Sequence, residues 1–256
     1  MKKILTLISF VFLFACSNTK TVSDVGNYHF IKGLNYYQKN QKDKALNEFL
    51  LAEKEQPTNP MILREIAYFY LDIGDFEKAK QYYEKSIEIE PHDVTALKNL
   101  VYIYLNEADT ERVDYYLSKF IDKNSDDYLF SHLNVAIFKN DRGQISSTLN
   151  KLIFKENFYK ANLSEKIFNI LEENYSKRDL LKIYEKFYHF NSKNENVIAR
   201  YSKALYDNDR KAKCIEILLL GIAETDSENL LDMAMDFYKK ENNISEYNKL
   251  KKLKKY

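Results

Sequence analysis

The sequence predicts an all-α protein whose helices are joined by short polar loops and organised by an internal repeat. Two observations carry this prediction: a scarcity of turn-forming residues and a repeat with a period of 34 residues. The 256 residues include only 5 glycines and 3 prolines, and no tryptophan. Sheet proteins with many strands need glycine or proline at their tight turns, and phosphate-binding loops need glycine so that backbone amides can approach the ligand. The composition therefore disfavours both.

The charge balance and the hydrophobic content exclude two further classes of protein. Lysine and arginine total 39 residues, and aspartate and glutamate total 38. Because a basic surplus provides the attraction between a protein and nucleic-acid phosphates, this balance predicts that nucleic acid is not a partner. Hydrophobic residues make up 45% of the chain and aromatic residues 14%, which is enough for a packed core and argues against a disordered chain.

The N-terminus has the pattern of an export signal. Lys2 and Lys3 precede an apolar stretch that runs from Ile4 to Ala15. As a helix with a rise of about 1.5 Å per residue, that stretch would cover roughly 18 Å, whereas the hydrocarbon core of a bilayer is about 30 Å thick. The pattern therefore predicts a cleaved signal peptide over residues 1–15 rather than a membrane span.

The end of this segment, Leu13 to Cys16, resembles the lipobox of bacterial lipoproteins. The resemblance implies that Cys16 becomes the acylated N-terminus, that residues 16–25 form a lipidated polar tether, and that the protein is anchored in a bacterial cell envelope. Ser17 and Asn18 lack the acidic residue that favours retention at the inner membrane in enteric bacteria, so the outer membrane is the expected location. Secretion without a lipid and a cysteine that falls here by chance are the two alternatives.

A repeat organises the chain from residue 26 onward. The segment from Asn27 to Pro57 is echoed, 34 residues later, by the segment from Met61 to Pro91. Small residues match small ones and rings match rings: Gly33 with Ala67, Tyr36 with Tyr70, Ala45 with Ala79, and Phe49 with Tyr83. A further shift leads to Val101, Tyr104, Val113 and Leu117. These residues resemble those of the tetratricopeptide repeat, a helix-turn-helix unit.

The resemblance implies a right-handed superhelical solenoid of such units. The repeat domain would cover residues 26–256 and contain about six units, which start near residues 26, 60, 94, 128, 161 and 195. The lysine-rich remainder, residues 229–256, is too short for a full unit and is expected to form a polar cap on the open end of the stack.

Residue types predict the contacts and turns of the first units. Gly33 and Ala67 are small where the first helix of a pair would meet the second, which predicts close contact between the two helices. Gly74 is expected to end a helix with a positive φ, and Asp75 to cap the next one. Pro57, like Pro91 in the next unit, is expected to stop a second helix.

The later units follow the same frame less strictly. The fourth has a predicted turn from Asn140 to Gly143. In the fifth, Phe168 occupies a small-residue site, which predicts packing that opens there. The sixth restores the pattern with Ser202, Cys214 and Gly221 and has a polar loop at residues 207–209.

No arrangement of residues predicts catalysis, a metal or a cofactor. Cys214 aligns with Ala45 and Ala79 and is expected to be a buried small residue. The histidines fall in no metal-ligand spacing and are expected at the surface or in packing: His29, His92, His132 and His189. The sequence therefore predicts a protein that is not an enzyme. The alternative is an envelope enzyme or solute-binding protein with an unrecognised pocket in residues 128–194, which an ionisable group with a shifted pKa in a deep pocket there would favour.

The resemblance also implies where a partner binds. In the tetratricopeptide family the concave face is lined by the first helix of each pair, and the matching positions here form an aromatic and aliphatic groove with two cations. They are Phe30, Leu34, Tyr37, Arg64, Tyr68, Leu71, Lys98, Tyr102 and Leu105. The rings would supply contact area to a protein or peptide partner, and Arg64 and Lys98 would orient its carboxylates. A packing role for Tyr37, Leu71 and Leu105 is the competing interpretation.

The equivalent face of the fifth unit carries Glu165, Glu172 and Glu173, which predicts that the groove becomes acidic along its length. The function implied by the two resemblances together is a lipid-anchored scaffold or adaptor of the bacterial envelope. It would bind a peptide or protein partner in the groove and serve in the assembly of an envelope complex.

Overall fold

The computed structural model describes residues 22–161 and 163–254. Within these ranges it contains fifteen α-helices and no strand. The chain divides into two compact units, the first ending at Ile121 and the second starting at Asp122. In each unit, consecutive antiparallel helices form pairs, and neighbouring pairs pack on one another. The predicted all-α fold of stacked helix pairs is confirmed.

The first unit contains three helix pairs. Its helices are α1 (Val22–Gln38), α2 (Lys42–Glu55), α3 (Pro60–Asp72), α4 (Phe76–Ile89), α5 (Val94–Asn106) and α6 (Thr110–Ser118). A Cβ atom added to Gly33 would lie 2.5 Å from Cδ1 of Phe49, so only glycine allows α1 to approach α2 this closely. Ala45, Ala67 and Ala79 are fully buried. The predicted small-residue sites are therefore confirmed.

The second unit contains four helix pairs and one additional short helix. Its helices are α7 (Asp126–Phe138), α8 (Arg142–Leu152), α9 (Glu156–Lys160), α10 (Glu165–Asn174), α11 (Lys177–Phe190), α12 (Glu195–Asp207), α13 (Lys211–Thr225), α14 (Glu228–Lys240) and α15 (Ile244–Lys251). The short helix α9 buries Phe158 and Tyr159, whose ring centroids lie 5.4 Å and 4.9 Å from that of Phe187 in α11. The sequence did not predict α9, because its 5 residues are too few to show a helical period.

A residue with a left-handed backbone closes the turn inside six of the seven described helix pairs. These residues are Asn40, Gly74, Ala108, Asn140, Asp209 and Asn242, each two positions after the end of the first helix. The amide that follows then reaches back to the first helix, as where Asp75 N donates to Tyr70 O at 2.9 Å. This arrangement satisfies a carbonyl group that the helix end leaves open. Because the Asp75 side chain also accepts from Lys78 N, the predicted roles of Gly74 and Asp75 are confirmed.

Three boundaries differ from the sequence prediction. Helix α1 begins at Val22 instead of residue 26, so four residues of the predicted tether are helical. The first turn of a helix at the open end of a stack does not have to bury apolar side chains, so the sequence showed no helical pattern there. The predicted cap over residues 229–256 is a seventh helix pair, α14 and α15, with a shortened second helix. In the fourth pair the left-handed residue is Asn140, and Gly143 lies inside α8 instead of in the turn.

The predicted signal peptide over residues 1–15, the acylation site Cys16 and residues 16–21 of the tether lie outside the described residues. Among the helices that the structure does describe, none combines the length and the apolar character needed to cross a membrane.

The fifth pair, α10 and α11, opens as the sequence predicted. Phe168 takes the position of a small residue and is buried, with its ring centroid 5.4 Å from that of Phe187 and 6.2 Å from that of Tyr184. The Cα atoms of α10 and α11 hardly approach within 8 Å of each other, in contrast to those of every other pair. The connection through Tyr175 and Ser176 is extended and contains no left-handed residue. A ring in place of a small side chain therefore separates the two helices.

The left-handed turns predict that Ala108→Gly stabilises the protein. A left-handed backbone costs a residue with a Cβ atom roughly 1–2 kcal/mol, whereas glycine loses about 0.5–1 kcal/mol of additional chain entropy on folding. The net gain in the free energy of unfolding, measured by urea denaturation, should be about 0.5–1 kcal/mol. The control is Ala223→Gly on the exposed side of α13, which should lose up to about 1 kcal/mol. Changes of the same sign in both variants would contradict this account of the turn.

Candidate partner-binding groove

The nine residues predicted for the groove all keep part of their surface exposed, and we refer to them as the groove face. They lie on α1, α3 and α5, the first helices of the three pairs in the first unit. In α3, Tyr68 follows the fully buried Ala67, and in α5, Tyr102 follows the buried Val101. Tyr68 and Tyr102 leave 46% and 52% of their surfaces exposed. One repeat apart in the sequence, they place rings in solvent at equivalent points of two consecutive first helices.

Tyr37 joins the groove face of α1 to that of α3. Its ring meets the edges of the Tyr68 and Phe69 rings, with both centroid distances at 6.2 Å. Burial, together with a hydrogen bond to Asp72, raises the pKa of Tyr37 to about 12. The hydroxyl group therefore stays protonated and donates to Asp72, whose other partner is Lys42 Nζ at 2.7 Å. The Lys42 ammonium group and the Tyr37 hydroxyl group both lower the pKa of Asp72.

Arg64 lies on the groove face, but its guanidinium group is engaged within the protein. Its Nη1 atom donates to Oδ2 of Asp93 at 2.5 Å. Asp93 is buried and also caps α5, because its Oδ1 atom accepts from the amides of Thr95 and Ala96. Arg64 thus holds the start of α5 against α3, and Lys98 is the other cation of the face. The role predicted for Arg64, to orient a carboxylate of the partner, would require it to give up or share this ion pair.

The aliphatic members of the groove face are half-buried. They are Leu34, Leu71 and Leu105. Phe30 packs inward as well, with its ring centroid 6.1 Å from that of the core residue Phe49. Each of these side chains is therefore partly packed inside the protein and partly exposed to solvent. The packing role that was the competing interpretation applies to the buried part.

Sequence reasoning missed a polar layer beneath the groove face. Glu65 lies beside Arg64, with 3.9 Å between its Oε1 atom and Arg64 Nε, and its burial raises the pKa of its carboxyl group. Next to it, the fully buried Tyr83 accepts a hydrogen bond from Asn99 Nδ2 at 2.8 Å. Glu65 and Asn99 occupy ordinary helical positions in the sequence, so no pattern marked them; only the packing of α3, α4 and α5 brings them together.

A second group of rings, from α5 and α6, surrounds Glu84 of α4. Glu84 accepts hydrogen bonds from the hydroxyl groups of Tyr104 at 2.5 Å and Tyr116 at 3.0 Å, and these two rings stack. A cavity of about 560 Å³ opens beside Glu84 and is lined by Arg112 and the exposed Tyr115. Its lining combines charged groups of both signs with apolar side chains such as Ile87, so it is more highly charged than the groove face.

The alternative function, an enzyme or solute-binding protein, would place its pocket in residues 128–194. This region contains a cavity of about 770 Å³ between α7, α8 and α10. Its ionisable lining residues, Arg142, Lys166 and Glu173, are all exposed, so the cavity presents none of the desolvated acids or bases that catalysis uses. The acidic surface predicted for the fifth unit is partly neutralised, because Arg200 of α12 forms ion pairs with Glu165 and Glu172, while Glu173 is exposed.

The four histidines serve local contacts. His29 pairs with Glu48 at 2.6 Å, and Nδ1 of His92 lies 2.9 Å from the carbonyl oxygen of Lys119. His132 Nδ1 lies 2.9 Å from Thr148 Oγ1, and His189 meets the Phe190 ring edge on. In the described part of the chain, no three histidine, cysteine or acidic residues are grouped so that they could hold a metal ion. Cys214 is buried, as its alignment with alanine predicted.

Comparison with known proteins identifies the fold. Residues 65–93 match the tetratricopeptide repeat family. A tetratricopeptide repeat protein from Parabacteroides merdae ATCC 43184 has a TM-score of 0.55 and 14% identity, over 86% of this chain and 85% of that chain. PilW, a widely conserved type IV pilus biogenesis factor, has a TM-score of 0.59 and 15% identity, over 82% of this chain and 98% of that chain.

Yeast Tom70 has the same helix-pair architecture, with a TM-score of 0.56 and 12% identity over 86% of this chain and 48% of that chain. No curated protein sequence matches the chain. The similarities at these identities establish the fold, which is that of stacked tetratricopeptide helix pairs.

Proposed function

We propose that this protein is a lipid-anchored interaction scaffold of the bacterial envelope, which binds an extended segment of a partner protein on its groove face. The observation that carries the proposal is the exposure of Tyr68 and Tyr102 at the same repeat position of consecutive first helices. Rings that serve only the core would be buried like Tyr83, which is fully enclosed in the same unit. Rings held in solvent by a rigid helix provide contact area that loses little conformational freedom on binding.

The chemistry of the groove face favours a partner segment with apolar side chains. Tyr37, Tyr68 and Tyr102 offer apolar ring surface, and the half-buried leucines on the same helices add aliphatic surface. Two of the charged groups nearby, Arg64 and Asp72, already have partners within the protein. Because a binding site gains most from apolar area and from aromatic anchors, we infer that contact with the tyrosine rings dominates the affinity and that charge plays the smaller part.

Similarity to PilW supports a role in assembling an envelope structure. The solved chain of PilW, a type IV pilus biogenesis factor, is covered almost completely, at 98% of its length. The similarity is one of fold at 15% identity, so it supports a class of role rather than a particular partner.

The proposed lipid anchor would hold the first unit close to a membrane. Cys16 lies only six residues before Val22, where α1 begins. Six extended residues reach at most about 20 Å, so the start of α1 in an acylated protein would stay within that distance of the bilayer surface. A partner bound to the groove face would therefore be held near the membrane.

The double variant Tyr68→Glu with Tyr102→Glu should lose most of its partner in cross-linking and pulldown experiments on envelopes. Each substitution removes apolar contact area and places a carboxylate in the contact, at a cost of about 1–2 kcal/mol or more, so the combined loss should exceed about tenfold in affinity. Thermal unfolding of the double variant should remain cooperative with only a modest fall in Tm, because both rings are about half exposed and Tyr68 loses its ring contact with Tyr37.

The control for this experiment is Tyr115→Glu. Tyr115 has a similar exposure of 49% but lies on α6, a second helix. The control should capture the partner as well as the wild type does. Partner recovery that is equal for the wild type and the double variant would show that the groove face is not the binding site.

The anchor is tested by metabolic labelling with a fatty-acid probe. Cys16→Ala should abolish labelling, because the acylated thiol would be missing. Cys214→Ala, which removes the buried thiol instead, should leave the labelling unchanged. Label that persists in Cys16→Ala would rule out the lipoprotein assignment.

A further inference from the structure

The carboxylate of Glu65, in the polar layer beneath the groove face, is not fully satisfied within the protein. Among the described residues it accepts no hydrogen bond, and its one ion pair is the long contact of 3.9 Å with Nε of Arg64. Burial raises the pKa of this carboxyl group although Arg64 acts in the opposite direction. Folding therefore disfavours the ionised form of Glu65, and the presence of an acid here needs an explanation.

The packing of the repeats does not require an acid at this position. Ile31 in the first repeat and Asn99 in the third lie 34 residues before and after Glu65. Neither of these side chains carries a charge. The charge of Glu65 is thus particular to α3 and is not part of the pattern that the first three repeats share.

The charges around Glu65 leave an excess of negative charge in the groove. The Arg64 guanidinium group is already engaged by Asp93, with 2.5 Å between Nη1 and Oδ2. Glu65, Arg64 and Asp93 together carry two negative charges and one positive charge, and the adjacent Tyr83 and Asn99 are neutral. A cation from a partner would balance this group, whereas a carboxylate, which the sequence predicted to meet Arg64, would add to the excess.

A group that enters the groove can reach Glu65. Its side chain keeps 30% of its surface exposed, so the carboxylate is accessible without any movement of the core. Tyr68 follows three positions later on α3, and residues at this spacing are neighbours on a helix surface. A long basic side chain can therefore place its charged end at Glu65 while its carbon chain packs on the exposed Tyr68 ring.

We propose that Glu65 binds a lysine or arginine side chain of the partner segment that occupies the groove face. This inference rests on the proposed function and specifies the chemistry of the partner, which would carry a basic residue among apolar ones. The tyrosine rings provide most of the affinity, and Glu65 selects the segment by its charge and fixes its position along the groove. A segment with an acidic residue at this point is disfavoured by the repulsion between like charges.

Selection of peptides from a random library displayed on phage tests the proposal. The full chain is immobilised as the wild type, as Glu65→Gln, and as the double variant Tyr68→Glu with Tyr102→Glu. Peptides captured by the wild type should carry lysine or arginine at one fixed position between apolar residues, several-fold more often than the library does. Glu65→Gln should still capture apolar peptides but lose this enrichment, because its amide group carries no charge. Glu65→Asp, which keeps the charge, should retain the enrichment.

The control for the selection is Glu88→Gln, which removes an exposed carboxylate from α4, a second helix, and should enrich the same peptides as the wild type. A preference for basic residues that persists in Glu65→Gln would overturn the proposal. Apolar peptides that carry no basic residue, and that the double tyrosine variant fails to capture, would overturn it as well but leave the groove face as the binding site. Capture that is equal for the wild type and the double tyrosine variant, or no capture at all, would contradict the proposed function itself.

The affinity of one selected peptide measures the interaction directly. Replacement of its basic residue by norleucine should weaken binding to the wild type about tenfold, because a hydrogen bond between charged groups is lost. The same replacement should have little effect on binding to Glu65→Gln, where the charge is already missing. Fluorescence anisotropy of the labelled peptides gives both values. An equal loss for the two proteins would show that the basic residue contacts another group.

Thermal unfolding of the protein alone tests whether Glu65 has a structural role instead. Glu65→Gln should leave Tm unchanged or raise it at neutral pH, because the folded state disfavours the ionised carboxylate. A fall in Tm of more than roughly 4 °C would show that the carboxylate stabilises the fold through an internal partner, and would overturn the proposal.

Discussion

Two helices of a pair can lie close together only where at least one of them carries no bulky side chain. In the first unit this condition is met by Gly33, which faces the ring of Phe49, and by the fully buried Ala67 and Ala79. The large residues are then distributed around these contacts: Phe49 is enclosed in the core, and Tyr68, beside Ala67, is directed to the solvent. The exposed rings of the groove face are thus a consequence of how the pairs close.

The fifth pair shows what happens when the condition is not met. Phe168 separates α10 from α11, and polar contacts supply part of what close packing no longer does. Arg200 of the next pair lies over the Phe168 ring, 5.2 Å from its centroid, and forms ion pairs with Glu165 and Glu172. Tyr184 of α11 also donates to Glu172 at 3.1 Å, so one carboxylate connects both helices of the open pair to α12.

Most of the helix pairs could be predicted from the sequence, because their periodicity and their small residues recur every 34 positions. The sequence also placed the nine residues of the groove face on the first helices of the pairs, but it did not distinguish the exposed rings of Tyr68 and Tyr102 from the half-buried members. The ion pair between Arg64 and Asp93 could not be predicted, since the two residues are 29 positions apart and only the packing of α3 on α5 brings them together. In the second unit, Ser202 of α12 is fully buried, and its hydroxyl group has no hydrogen-bond partner among the described residues. This too depends on the surrounding side chains, which a repeat alignment does not describe.

The central claim, that the groove face holds an extended partner segment, is tested most directly by site-specific photo-cross-linking in cells. Benzoylphenylalanine would be placed at Leu34, Tyr68 and Tyr102, one on each first helix, with Tyr115 as the control position. The account predicts cross-links from all three positions to one partner, at sites that follow the order of the helices along a single segment, and none from Tyr115. Cross-links from Tyr115 of equal yield, or sites scattered over unrelated proteins, would contradict it.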